Sequence, residues 1–270
     1  MAYRTTPPDA RIPRDQRNYS IDSKKRSDTL GSTSNFRHSF DLPRDYDFDR
    51  VTCLLCEIPK SYYLLDEAAT FQLNEATGSV DTTVSISGGR NYTSSQLESA
   101  LATALTAASA TGANSFSYTV AFSANTGKFT VTASSGDFTL TFNTTTDANT
   151  DIAKYLGFAE GVVSASSASS VLTSLNVVNL QRYDVLYLRS DIAENAGDDL
   201  LAEIYVGSSI DLSFINWKTP DAKFHSVGLA SPTPNCARFS LTDDNRKVVE
   251  LNGCNMRFIV QAFKSDRKFS

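Results

Sequence analysis

The strongest constraint on the fold lies near the end of the chain, in residues 237–263. Arg238-Phe239-Ser240-Leu241 alternates polar and apolar side chains, the period of a half-buried strand. Thr242-Asp243-Asp244-Asn245 follows with turn chemistry, because short polar side chains hydrogen-bond their own backbone. Lys247-Val248-Val249-Glu250-Leu251 is β-branched and apolar, and Asn252-Gly253 is the dipeptide best suited to a tight hairpin. Met256-Arg257-Phe258-Ile259-Val260-Gln261-Ala262-Phe263 reads as a final strand. The pattern predicts three strands in one antiparallel meander. It also predicts that the meander pairs with strands from the beginning of the chain and leaves the middle as an insertion.

Taken in order, residues 1–34 read as a basic N-terminal arm, extended or disordered, with three prolines and almost no apolar periodicity. Tyr19 and Ile21 lie on one side of an extended strand and give the arm a sticky point for a neighbouring subunit. Residues 35–75 read as the first part of a sandwich. Phe36, His38, Phe40 and Leu42 fall two apart, a nearly continuous apolar run spans residues 51–58, Pro59 marks a bulge or edge, and residues 71–74 form a short strand.

Residues 76–170 change character, being rich in Thr, Ser, Ala and Gly, and read as an inserted α+β domain. Leu97, Leu101 and Leu105 form one helical stripe that ends at Gly112. Two capping boxes fit its start, Thr93 with Gln96 or Ser95 with Glu98. A hairpin about Asn125-Thr126-Gly127, a strand at 138–142 and a short helix at 152–158 complete the insertion, and residues 161–170 form a linker. Strands resume over residues 171–270, at 171–180, 183–189, 201–206, 210–217 and 223–229, before the closing run. The expected class is mainly β, a single jelly-roll β-sandwich of eight or nine strands with an inserted small α+β domain and an extended N-terminal arm.

Charge is uneven along the 270 residues. Residues 1–27 hold seven basic side chains against three acidic ones, a balance of +4 that leaves −9 for the rest of a chain whose net charge is −5. An acidic body does not suggest general nucleic-acid binding, so nucleic acid is not an expected partner. No apolar run is long enough to span a bilayer and no apolar signal-peptide core is present, which predicts a chain that is not secreted, with four reduced cysteines and unmodified Asn18, Asn91 and Asn143.

No constellation points to catalysis. Cys53-Leu54-Leu55-Cys56 has zinc-knuckle spacing but sits inside a strand run, where residues three apart face opposite sides. With only Cys236 and Cys254 elsewhere, four small buried thiols are the simpler expectation. His38 and His225 are the only histidines, with no His-x-His metal pattern. Nucleophile elbow, Walker loop and dinucleotide fingerprint are absent. Asp198-Asp199 and Asp243-Asp244-Asn245 read as solvated turns, and Trp217 as core. The expectation is a non-enzyme without cofactor or metal.

Four stretches carry a resemblance: YSIDSKKRS at 19–27, SNFRHSFDLPRDYDFDRVTCLLCEIPKSYYLL at 34–65, NYTSSQLESALATAL at 91–105 with the later YTVAFSANTGKFTVTA and YLGF, and RFSLTDDNRKVVELNGCNMRFIVQAF at 238–263. Together they resemble the penton-type minor capsid proteins of virophages and polinton-like viruses, single jelly-roll relatives of adenovirus penton base. The resemblance implies a structural virion protein, a homopentamer at the fivefold vertices of an icosahedral capsid, assembled inside the host cell. It implies contact with the major capsid protein and other minor capsid proteins. The arm, through Arg11, Arg14, Arg17, Tyr19, Ile21, Lys24, Lys25 and Arg26, would bind surrounding capsomers, and the insertion is a candidate for host-surface contact. A virion spike or receptor-binding protein and a carbohydrate-binding jelly roll with exposed aromatic platforms remain open alternatives.

Overall fold

A computed structural model describes residues 16–40, 48–75, 81–112, 114–142, 152–159, 161–164, 170–194, 198–207, 213–230 and 235–265. The chain divides after Tyr62 and after Arg182 into two units, each with its own buried cluster. The sandwich unit begins with strands β1 (Gln16–Asp22), β2 (Asn35–Ser39) and β3 (Arg50–Pro59). The inserted unit holds β4 (Ala69–Glu75), β5 (Asp81–Ile86), helix α1 (Ser94–Thr111), β6 (Tyr118–Ser123), β7 (Lys128–Ala133), β8 (Phe138–Phe142), helix α2 (Ile152–Leu156), β9 (Gly161–Ser164) and β10 (Val171–Thr173). The sandwich unit resumes with β11 (Val185–Ser190), β12 (Ala193–Glu194), β13 (Leu200–Tyr205), β14 (Phe214–Lys218), β15 (Val227–Leu229), β16 (Cys236–Thr242) and β17 (Arg257–Phe263).

Two antiparallel sheets make the sandwich, one in the order β1-β17-β3-β15-β12 with β14 also on β3, the other β13-β11-β16-β2. Phe36 on β2 and Phe239 on β16 meet Phe258 of the opposite sheet at ring distances of 6.4 and 4.9 Å. All three rings are fully buried, so they join the sheets through one apolar core. The protein is mainly β, as its alternating patterns require.

The closing run is not a meander. β16 pairs with β2 and β11, whereas β17 lies between β1 and β3 in the other sheet. Residues 247–251 form no strand. The Asp243 carboxylate instead accepts the backbone N–H groups of Asn245 and Lys247, and Val249 and Leu251 are wholly buried. Asn252 and Gly253 then turn the chain with φ of 48° and 80°. Pairing here is limited to a bridge between Thr242 and Val248 and the Val249 N–H donating to the Leu241 carbonyl, while the apolar side chains enter the core. Both closing strands do pair with the start of the chain, as expected.

The arm also differs. β1 pairs with β17 along all seven residues, from Gln16↔Phe263 to Asp22↔Arg257. The fold therefore claims residues 16–22 for its own edge strand, and residues 1–15 lie outside the described range.

The inserted unit is wider than residues 76–170. β4 pairs with β5 and β8, and β10 pairs with β7, so both belong to this unit and not to the sandwich. β9 occupies part of the expected linker, pairing with β8. Its sheets β5-β4-β8-β9 and β10-β7-β6 enclose Leu97, Leu101 and Leu105 of α1. Of the two capping boxes, the Thr93–Gln96 pair forms, each side chain meeting the other's backbone N–H. Glu75 is buried and accepts hydrogen bonds from the Tyr118 hydroxyl at 2.8 Å and Asn114 Nδ2 at 2.9 Å, which engages both carboxylate oxygens. Burial and this carboxylate push the Tyr118 phenol far above its usual range.

Candidate assembly surface

The residues expected to bind surrounding capsomers separate into three groups. Arg11 and Arg14 lie outside the described residues. Tyr19 and Ile21 face their own sandwich: Ile21 is 0% exposed, and Tyr19 meets Phe40 edge-on at 5.4 Å, with the Arg17 guanidinium over the Tyr19 ring, 5.4 Å from its centre. They are core and edge packing, not a free sticky point, because β17 supplies the pairing partner within the same chain. Lys24 and Lys25 are exposed, and half-buried Arg26 donates to the Ser23 carbonyl. Lys24 and Lys25 lie in a 3₁₀ turn that Arg26 ends and Ser23 anchors, its hydroxyl donating to Asn255 and accepting from the Met256 N–H.

Beyond that turn the chain runs along the outer edge of β2. Ser27 N–H donates to the Arg37 carbonyl at 2.8 Å, and Asp28 accepts the Arg37 N–H at 3.1 Å. Leu30, in this stretch, is 99% exposed. On the opposite lateral side of the sandwich, where β13 and β14 are the edge strands, a pocket of about 550 Å³ opens beside Trp217 and reaches Cys53. Trp217 is half-buried, packed on the core and lining this pocket, so it is only partly the core residue expected. Tyr205 and Phe224 line the same pocket and are 65% and 81% exposed. The inserted unit has a groove of about 940 Å³ between β5 and α1, lined mainly by Ser, Thr and Ala with Arg90.

The cysteines depart from the sequence expectation in two ways. Cys53 and Cys56 are both buried with their sulfurs 3.3 Å apart, on one face. A bulge explains this: Ile259 pairs with Leu55 and Val260 with Cys53, so Leu54 is skipped and the side-chain phase reverses. Burial, then the Cys53 thiol, raise the Cys56 thiol well above its usual range, so Cys56 stays protonated at neutral pH. Cys236 and Cys254 are exposed, not buried. Among the described residues, no group of three or more His, Cys, Asp or Glu side chains could hold a metal.

Asp198 and Asp199 are not a solvated turn. Arg189, buried on β11, contacts them at 2.6 and 2.9 Å and donates to Thr242 on β16 at 3.1 Å. Burial opposes the Arg189 charge, but the two carboxylates outweigh it and raise its pKa. Burial would also raise Asp198, yet Arg189 and Arg246 hold it below its ordinary value. His38 is half-buried against Phe40, and its pKa is lowered, chiefly by burial and also by Lys25, against the pull of Asp22. Among the described residues, no helix is long and apolar enough to cross a membrane.

No protein-family model matches the chain, and no curated protein matches it in sequence. Among solved structures, the crystal structure of selenomethionine-labelled mavirus penton protein is similar with a TM-score of 0.54 at 10% identity. The likeness covers 93% of this chain and 99% of that one. It therefore spans both the sandwich and the inserted unit, and at this identity it is a likeness of fold. The chain has the mainly β fold of the mavirus penton protein, inserted unit included.

Proposed function

We propose that the protein is a structural capsid protein, a penton capsomer whose copies close a homopentamer at the fivefold vertices of an icosahedral shell. The observation that carries the reading is the extent of the fold likeness, which covers 99% of the mavirus penton chain. A ring of identical subunits needs two different lateral faces, and the sandwich supplies them as the β1/β2 side and the β13/β14 side. The partners in this reading are further copies, the major capsid protein and other minor capsid proteins, with host-surface contact through the inserted unit. The exposed Lys24 and Lys25, together with Arg11 and Arg14, are the positions proposed to reach neighbouring capsomers.

Co-expression with the major capsid protein of the same virus tests this reading. Closed shells with this protein at their vertices in electron cryomicroscopy are expected. Closed shells whose vertices lack it would overturn the assignment.

A further inference from the structure

A single exposed apolar side chain needs no partner. Leu30 differs because of where it stands and what stands opposite. It lies in the stretch that borders β2, at one lateral side of the sandwich, and is 99% exposed. The pocket between β13 and β14 lies at the other lateral side of the same unit.

We propose that a second copy of this chain seats its Leu30 in the pocket beside Trp217, so that knob and hole join each subunit to the next around a ring. The inference deepens the pentamer reading and rests on it. A head-to-tail contact joins two different surfaces and closes a ring when the rotation between subunits fits, and Leu30 and the pocket lie on two different edges of the sandwich.

The pocket suits an aliphatic side chain better than a polar ligand. Thr52 donates to the His225 carbonyl at 3.4 Å, and Ser226 donates to the Lys223 carbonyl at 2.7 Å, so both aliphatic hydroxyls in the lining are engaged within the chain. Leu201 and Cys53 line the interior, and the exposed rings of Tyr205 and Phe224 would be covered by the incoming loop. Glu203 is the one carboxylate lining the pocket, which His225 also lines, and the exposed Lys24 and Lys25 lie a short way before Leu30 in sequence. The Glu203 carboxylate and the two lysines are of opposite sign, which favours this pairing.

Paired cysteines test the contact in the full chain. In a background with Cys236→Ser and Cys254→Ser, Leu30→Cys and Tyr205→Cys are introduced singly and together. Mild oxidation of the double variant is expected to give a ladder of disulfide-linked species up to the ring number on denaturing gels, while each single variant runs as monomer. Leu30→Asp, at a position that is 99% exposed, is expected to keep the melting temperature but lower the fraction of rings about tenfold or more, the scale set by burying one leucine. Rings that persist without a ladder, or that are unaffected by Leu30→Asp, would overturn the knob-and-hole contact and leave the pentamer standing. Absence of any ring, even with the major capsid protein added, would overturn the pentamer reading itself and the contact with it.

Discussion

Arg189 shows how one residue ties distant parts of the chain into the sandwich. It sits on β11, reaches Thr242 on β16, and gathers Asp198 and Asp199 from the loop before β13. Asp198 is held below its ordinary value of 3.8, so its contribution to stability is complete above that pH and is lost as pH falls through the lowered folded value. Its side chain is 38% exposed, and solvent screening limits the contribution to under about 1 kcal/mol. Asp198→Asn is therefore expected to lower the urea midpoint slightly at pH 7, with the difference from the parent shrinking as the pH falls below the ordinary carboxylate range. A difference that grows on acidification would contradict the pairing.

At the scale of elements, β1 separates the two readings of the N-terminal segment. Ile21 is fully buried, so Ile21→Ala leaves a cavity and is expected to cost about 2–5 kcal/mol in chemical denaturation. A free arm would lose almost nothing. An extended strand at Tyr19 and Ile21 was legible, but its place in this chain's own sheet was hidden, because two apolar residues among Arg, Asn and Ser mark no partner and that partner lies far along the chain in β17. Elements with local signals were legible: the leucine stripe of α1 with its Thr93 cap, the 118–133 hairpin, and β16 and β17 as strands. What failed were statements needing long-range information. The Cys53–Cys56 phase depends on a bulge opposite β17, the sheet change between β16 and β17 depends on Val249 and Leu251 entering the core, and β4 and β10 look like sandwich strands until their partners are known. The pocket beside Trp217 combines strands from separate regions, so no local motif marked it.

At the scale of the whole molecule, each unit has its own core, and the fold likeness to the mavirus penton protein runs through both. Two lateral faces with different chemistry suit closure into a ring, and an odd-numbered ring excludes the self-complementary contact of a twofold dimer. Native mass spectrometry of the full-length chain, alone and with the major capsid protein, tests this most directly. The account predicts a species of about 147 kDa, five copies of the 29.4 kDa chain, in at least one of the two conditions. A stable trimer, or a chain that stays monomeric beside the capsid protein, would contradict it.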